Sequence, residues 1–275
     1  MLDGPLFLRR RVLFRRCVMK WDAEKYDSTH GPQIEVGREL IGMAMVKADD
    51  SILDIGCGTG KLTCELAQLA NKGMVLGIDP SVEMLEKAKG TTALFANISL
   101  MQIPAQKMDF NNEFDIVYSN SALQWIKEQE DVIARSYRAL KPNGRITIQL
   151  PAKDFCWAMT ENIQSAISAL GLESMFNKME SPWRFPLKEE MEEFFNNAGF
   201  RNVKAYYKED TLFFESVNEV LDWGVSAGLR PFLASLNEKK QERFKYAFAM
   251  GFENYRTEKG IEFPFRRLFA LGKKG

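Results

Sequence analysis

The stretch Ser51-Ile-Leu-Asp-Ile-Gly-Cys-Gly-Thr-Gly-Lys61 decides the fold of this chain. A short apolar run leads into three alternate glycines, Gly56, Gly58 and Gly60, and a helix-forming run follows at 62–70. Glycine suits such a turn because the chain bends sharply and its backbone must approach a ligand that a Cβ would block. The pattern predicts a nucleotide-binding turn between a strand and a helix.

Two phosphate-binding patterns fail on this stretch. A dinucleotide fingerprint, G-x-G-x-x-G, would place its third glycine where the chain has Lys61. A P-loop would need a glycine at Ile55 and a hydroxyl at Leu62. The next predicted strand ends in Asp79, about where a carboxylate meets ribose hydroxyls in doubly wound folds. A nucleoside without phosphates is therefore the expected ligand.

Four motifs in order along the chain resemble the class I S-adenosylmethionine-dependent methyltransferases. They are Asp54-Ile-Gly-Cys-Gly-Thr-Gly60, Gly77-Ile-Asp-Pro-Ser81, Phe114-Asp-Ile-Val-Tyr-Ser-Asn120 and Leu140-Lys-Pro-Asn-Gly144. Within that family, Ser121-Ala-Leu-Gln-Trp125, Asp222-Trp-Gly-Val-Ser-Ala-Gly-Leu-Arg-Pro231 and Phe263-Pro-Phe-Arg-Arg-Leu-Phe269 look like the trans-aconitate methyltransferases. The resemblance covers roughly residues 21 to 271. It implies S-adenosyl-L-methionine as cofactor and a small polycarboxylic acid as methyl acceptor.

The order of periodic segments predicts an α/β fold, and the resemblance implies a Rossmann-like, doubly wound seven-stranded sheet with helical cap insertions over the substrate site. The predicted strands are Ile52–Ile55, Val75–Ile78, Ile98–Met101, Asp115–Ser119, Ile146–Leu150, Val203–Tyr207 and Leu268–Leu271. The predicted helices are Pro32–Met45, Lys61–Ala70, Val82–Lys89, Gln129–Ala139, Phe155–Leu170, Lys188–Ala198, Val217–Ala227 and Glu238–Tyr255. Residues 21–275 are expected to form one domain, with a cofactor-binding core at 21–150 and cap insertions at 151–185 and 217–256.

Residues 1–20 differ in composition from the rest of the chain. They carry six Lys/Arg against one Asp and lack the pattern of any packed element. Three interpretations stay open: an over-long start with the initiator at Met19, an Arg-rich targeting segment, or a basic arm for a membrane or nucleic acid. We favour the first, so 1–20 is expected to be a basic extension outside the fold.

Composition favours a cytoplasmic enzyme that acts on a small molecule. The formal net charge is zero, which gives no electrostatic footprint for nucleic acid. The four cysteines form no C-x-x-C pair and the chain has a single histidine, so no metal site is expected. No apolar run is long enough for a membrane span, and no obligate protein partner is evident.

The resemblance assigns most of the cofactor contacts to the glycine turn and the next strand. Asp54, Gly56, Cys57 and Gly58 are expected to lie against the methionine and ribose parts of the cofactor, because a sulfonium ligand needs close backbone approach without a phosphate cradle. Asp79, followed by Pro80, is expected to accept hydrogen bonds from the ribose hydroxyls. The alternative for Asp79 is an Asx turn with Pro80.

The remaining cofactor residues are expected after the third and fourth strands and before the first. Many relatives carry an acidic residue for the adenine amino group where this chain has Pro104. The backbone of Ala105, with Gln106 and Ile103, is the expected substitute. Asn120 is expected to meet the amino group of the cofactor. The last two expected cofactor residues are Tyr26 and Gln33. They resemble positions that close over the cofactor in this family.

The acceptor site is predicted from cations and from the lack of a base. A carboxylate is already ionised at neutral pH and needs no general base, whereas His30 is the only histidine available to an acceptor that does. Arg230 and Arg267 are candidates for binding carboxylates, with Arg184 a weaker one, and each has a structural ion pair as its alternative. Trp125 is expected to form a wall beside the transferring methyl group.

Two other functions stay open at this point. The same fold could methylate a malonyl-acyl-carrier thioester or another small N, C or O acceptor. The chain could also be a non-catalytic regulatory protein that binds the cofactor. The aromatic stripe Phe244, Phe248, Phe252 and Tyr255 is expected to be the underside of a lid rather than a partner-binding surface.

Overall fold

A seven-stranded sheet forms the centre of the protein. The computed structural model describes residues 32–226 and 228–275. The strands are β1 Ser51–Ile55, β2 Met74–Asp79, β3 Ile98–Gln102, β4 Phe114–Asn120, β5 Leu140–Pro151, β6 Arg201–Phe214 and β7 Ile261–Lys273. Their order is β3-β2-β1-β4-β5-β7-β6, and β7 runs antiparallel to β5 and β6 in an otherwise parallel sheet. The predicted doubly wound, seven-stranded fold is confirmed.

Helices cover both faces of the sheet and form a further layer. They are α1 Pro32–Ala44, α2 Lys61–Leu69, α3 Val82–Thr91, α4 Gln129–Ala139, α5 Trp157–Ala169, α6 Glu173–Phe176, α7 Lys188–Ala198, α8 Val217–Ser226, α9 Arg230–Leu233 and α10 Glu238–Gly251, with 3₁₀ turns at Ala105–Lys107, Leu123–Trp125 and Phe252–Tyr255. The predicted stop of α7 is confirmed, because Gly199 has φ +97°. The short helices α6 and α9 were not predicted, since a single turn carries no periodic pattern.

The sheet order places the site. Strand β1 pairs with β2 on one side and with β4 on the other, so the direction of winding reverses at β1. In doubly wound sheets ligands bind beyond the carboxyl ends of the strands at such a reversal. Asp54, Asp79 and Asn120 stand near the carboxyl ends of these three adjacent strands.

Three apolar cores hold the layers together. One packs a face of the sheet against α4 and α7, and a second packs the other face against α1 and α2. The third lies within the helical layer formed by α5, α6, α8, α9 and α10. Phe244, Phe248 and Phe252 are completely buried in this third core, and Tyr255 packs against it, so the aromatic stripe faces inward.

The antiparallel pair of β6 and β7 is much longer than the two strands predicted at Val203–Tyr207 and Leu268–Leu271. Its two strands stay paired from Arg201 with Lys273 to Phe214 with Ile261. The far end carries Leu212, Phe214 and Phe263 into the core of the helical layer. Pairing between such distant segments, not local pattern, sets this length.

Two negative findings apply to residues 32–226 and 228–275. No helix there combines the length and the apolar character needed to cross a bilayer. No group of three or more His, Cys, Asp or Glu side chains in that part could hold a metal ion. Tyr26, His30 and the basic extension 1–20 lie outside the described residues.

Candidate functional site

The glycine turn after β1 leaves room for a ligand. Gly56 has φ +74°, and a Cβ there would come within 2.3 Å of the Ala122 Cβ. Gly58 has φ +55°, and a Cβ there would meet no protein atom within 4 Å. The turn is therefore closed on the side of Ala122 and open at Gly58. The Gly56 and Cys57 N–H groups are not available to a phosphate, because they donate to the Ile78 carbonyl at 2.8 and 3.1 Å.

Asp79 ends β2 and is tied to the same turn. Its Oδ2 accepts from the Gly58 N–H at 3.1 Å, and its Oδ1 accepts from the Ser81 N–H at 2.8 Å. The Asx-type contact weighed as an alternative is thus present, and it orients the carboxylate without using all its lone pairs. Burial raises the pKa of Asp79, while the two N–H donors partly oppose that rise.

Asp54 lies beneath the turn and is 2 % exposed. Its Oδ2 accepts from the Thr63 hydroxyl at 2.7 Å. Burial, with a smaller contribution from the charge of Asp79, raises the pKa of Asp54 to about 7, against the lowering effect of Thr63. Two buried carboxylates next to one another favour a ligand with positive charge.

Asn120 and Gln33 meet across the top of β4. The Asn120 side-chain amide donates from Nδ2 to the Gln33 carbonyl at 3.0 Å. Its Oδ1 is buried and has no hydrogen-bond partner among the described residues. Asn120 therefore offers an acceptor to a ligand with a donor such as an amino group.

The residues expected near adenine lie after β3. Pro104 is half-buried and precedes the 3₁₀ turn, whose first residue, Ala105, is 5 % exposed. The Gln106 side chain donates to Glu128 Oε2 at 3.3 Å, so it is already engaged. Pro80 is exposed, and its carbonyl accepts from Gln102 at 3.3 Å.

The polar groups at this edge fit S-adenosyl-L-methionine. The two carboxylates and Asn120 Oδ1 are all acceptors, which suits a ligand that brings ribose hydroxyls, an ammonium group and a sulfonium charge. They do not suit a phosphate. The open space at Gly58 is the cradle that a Cβ would enter.

A small cavity of about 70 Å³ lies beside this edge, and we call it the inner cavity. It brings together three residues predicted for the site, Gln33, Trp125 and Arg267. Its other walls are largely aromatic. The described residues that line it are Gln33, Ser121, Gln124, Trp125, Pro151, Phe155, Met159, Trp183, Phe185, Trp223, Gly228, Phe265 and Arg267.

Arg267 is the cation of the inner cavity. The residue is 2 % exposed, and its Nε donates to Asp210 Oδ2 at 2.7 Å. The guanidinium carbon stands 4.4 Å from the centre of the Phe265 ring. Burial lowers the pKa of Arg267 from its ordinary value, and Asp210 opposes that shift. The group stays charged, because an arginine loses its proton only far above neutral pH.

The two other candidate arginines lie elsewhere. Arg230 is not among the residues that line the inner cavity, although Gly228 is, and its Nε donates to the Val225 carbonyl at 3.2 Å. Arg184 pairs with Glu190 at 2.7 Å. For Arg184 the structure shows the ion pair considered as its alternative.

Sequence reasoning missed several residues of the inner cavity. Trp183 and Phe185 come from the segment before α7, and Trp223 comes from α8. The Trp223 indole Nε1 and the Gln124 Oε1 are buried without a hydrogen-bond partner among the described residues. Two aromatic residues close together, Trp183 and Phe185, indicate a buried segment, but the local sequence does not show which part of the molecule they pack against.

Comparison with known proteins agrees with this geometry. The methyltransferase domain family matches residues 46–199, more than half of the chain. A trans-aconitate 2-methyltransferase of Deinococcus radiodurans is 26% identical over 254 residues, which cover 91% of this chain and 94% of that protein. Another, from Streptomyces avermitilis, is 28% identical and covers 81% of this chain and 84% of its own.

A solved structure shares the fold. Phosphoethanolamine N-methyltransferase 2 of Haemonchus contortus, in complex with S-adenosyl-L-methionine, superposes with a TM-score of 0.59 at 18% identity. The match covers 92% of this chain and 56% of that one. The chain belongs to the methyltransferase domain family and is an S-adenosylmethionine-dependent methyltransferase.

Proposed function

We propose that this methyltransferase transfers the methyl group to a carboxylate oxygen of a small organic acid. Trans-aconitate is the first acid to test, because relatives that match most of the chain bear that substrate in their names. A cytoplasmic location and the lack of a nucleic-acid or obligate protein partner belong to the same proposal.

The lining of the inner cavity carries the proposal. Among the described residues that line it, Arg267 is a buried cation, and none has a side chain that accepts a proton near neutral pH. An amine, phenol or carbon acid needs a base to remove its proton, whereas a carboxylate is already ionised. A guanidinium also attracts a carboxylate and repels an ammonium group. The lining therefore favours a carboxylate over an amine acceptor.

The roles of the side chains follow from their positions. When bound, S-adenosyl-L-methionine supplies the methyl group, and the electron pair of the broken carbon–sulfur bond stays on sulfur. Arg267 holds the acceptor carboxylate from one side, and the Trp223 N–H is a second donor for it. Trp125 and the aromatic walls exclude water. The products are a methyl ester and S-adenosylhomocysteine, and no proton is released, so no base is needed.

The decisive variant is Arg267→Met, paired with Asp210→Asn so that the half-buried Asp210 carboxylate does not lose its cationic partner. Removing a desolvated charge partner costs about 2–5 kcal/mol, so we expect the KM for the acid to rise by about two or more orders of magnitude. The control is Arg266→Met, which removes the neighbouring exposed arginine that pairs with Glu209. Calorimetry with S-adenosylhomocysteine should show unchanged cofactor affinity in all variants.

A second arm tests the absence of a base. We expect His30→Ala to leave kcat unchanged. A strong loss of kcat in that variant, together with an unchanged KM in the Arg267 variant, would move the assignment to an acceptor that must lose a proton.

A further inference from the structure

A second and larger cavity lies in the helical layer. Its volume is about 610 Å³, within the range of sites that hold small molecules, and we call it the outer cavity. Its floor is apolar and includes Ile167, Phe176, Met179 and Phe232. The cofactor edge of the sheet contributes none of its lining residues.

The two cavities share one wall. Phe155, Trp183 and Phe185 line both of them. The ring centres of Phe155 and Phe185 are 4.6 Å apart, and those of Trp183 and Phe185 are 5.8 Å apart. A chain of rings thus continues from Trp125, 6.1 Å from Trp183, to Phe232, 6.0 Å from Trp183 on the other side.

The backbone of this wall is fixed. The Arg184 N–H donates to the Gln124 carbonyl at 2.9 Å, and Gln129 donates to the Arg184 carbonyl at 3.0 Å. Lys127 holds the Trp183 carbonyl at 3.0 Å. Passage between the cavities therefore depends on rotation of aromatic side chains rather than on movement of the segment.

The inner cavity is too small for a whole acceptor. At about 70 Å³ it holds about two water-sized groups, since each takes about 30 Å³ of liquid volume. That is room for a carboxyl group and the first atoms of its chain. The outer cavity, on the other side of the shared wall, offers space for the rest of a longer acceptor.

The charges of both cavities disfavour a second carboxylate. In the inner cavity Arg267 already shares its charge with Asp210. At the rim of the outer cavity stand three carboxylates, Asp154, Glu173 and Glu180, against the single ammonium group of Lys153. An anionic group would be repelled there, whereas the apolar floor favours hydrocarbon.

We propose that the outer cavity binds the uncharged, apolar part of a monocarboxylic acceptor, whose carboxylate lies beside Arg267 in the inner cavity. This assignment rests on the proposed carboxylate methylation and names its substrate class. The acceptor is then an apolar acid with a chain or ring system long enough to pass the wall of Phe155, Trp183 and Phe185, and not a tricarboxylic acid.

The first test measures kcat/KM for straight-chain acids of four to ten carbons and for trans-aconitate, with methyl esters detected by mass spectrometry. Each buried methylene should raise kcat/KM about three- to fourfold until the cavity is filled. Trans-aconitate should fall at least tenfold below the best acid.

The second test fills the outer cavity from helix α5. Gln164→Trp places an indole at an exposed position that lines the outer cavity, and Ser165→Trp is the matched control, exposed on the same helix but outside both linings. The ratio of kcat/KM for the ten-carbon acid to that for the four-carbon acid should fall at least tenfold in Gln164→Trp and stay unchanged in Ser165→Trp.

The outcomes separate the two proposals. If trans-aconitate is the best acceptor and Gln164→Trp leaves the ratio unchanged, the apolar subsite is refuted while carboxylate methylation stands. If the protein binds S-adenosylhomocysteine but methylates none of the acids, carboxylate methylation itself is refuted, and the subsite with it.

Discussion

At the scale of single residues, the cofactor edge is defined by acceptors that are buried before any ligand arrives. Asp54 and Asp79 lie on adjacent strands, and the pKa of each is raised by burial. A carboxyl group whose pKa is raised by folding stabilises the folded state at low pH and loses that contribution as the pH rises through its folded pKa. Ionising Asp54 and Asp79 in this buried position costs free energy. A bound cation offsets that cost by attracting the ionised carboxylates.

This linkage predicts a pH dependence for cofactor affinity. Because the ionised form of Asp54 attracts the positive cofactor and its pKa is about 7, the Kd for S-adenosyl-L-methionine should rise about tenfold between pH 8 and pH 6. Calorimetry in buffers of different ionisation enthalpy should show proton release on binding near neutral pH. Asp54→Asn should flatten the profile; an unchanged slope in that variant would assign the titration to another group.

Asp79 should contribute through direct hydrogen bonds. Asp79→Ala removes the acceptor expected for the ribose hydroxyls, and a hydrogen bond to a charged group is worth about 1.5–3 kcal/mol, so the Kd should rise about ten- to a hundredfold. Glu86→Ala, an exposed carboxylate on α3 that pairs with Lys89, is the control and should change the Kd less than twofold. Equal effects in both variants would mean that the ribose lies elsewhere.

At the scale of elements, one arginine ties helix α1 to the sheet. Arg145 on β5 donates to the Met45 carbonyl at 2.7 Å and to Asp50 at 2.6 Å, and it also bonds the Ala44 carbonyl. These contacts satisfy carbonyls at the end of α1. The first turn of the same helix contains Gln33, whose carbonyl accepts a hydrogen bond from Asn120. The position of the cofactor edge thus depends on a residue far from it.

Arg145→Met should lower the free energy of unfolding by about 2–3 kcal/mol, because it leaves buried Asp50 without its cationic partner. Arg256→Met removes an exposed pair with Glu253 and should cost less than about 0.5 kcal/mol. Urea denaturation measures both. The combined variant with Asp50→Asn should lose less than the two single variants together, and simple additivity would argue against the pair.

The elements that could be predicted are those whose signals are local. The turn Gly56 to Gly60, the carboxylate that ends β2 and the glycine that ends α7 each depend on a few neighbouring residues. The lengths of β6 and β7 could not be predicted, because pairing of residues such as Asp210 and Phe265 joins segments that residues 215–260 separate in the chain. For the same reason the Asp210 partner of Arg267 and the aromatic wall around Trp183 were missed.

At the scale of the whole molecule, the antiparallel pair of β6 and β7 joins two cores. Near the sheet it contributes Ala205 and Leu268 to the core against α4 and α7, and at its far end it contributes Phe214 and Phe263 to the core of the helical layer. The same two strands therefore contribute buried side chains to both layers. Loss of packing at one end of the strands should therefore also lower the stability of the layer at the other end.

Phe263→Ala tests this coupling. The side chain is 1 % exposed and its ring centre lies 5.0 Å from that of Phe252, so truncation should cost about 3–5 kcal/mol. Phe213→Ala, on the paired strand but half exposed, should cost less than about 1 kcal/mol. Because the strands are continuous, calorimetry should show one transition that moves to lower temperature in Phe263→Ala, and bound S-adenosylhomocysteine should raise its midpoint. A separate transition for the sheet at the wild-type temperature would instead show that the helical layer unfolds by itself, and that the pair of β6 and β7 does not couple the acceptor cavities to the cofactor edge.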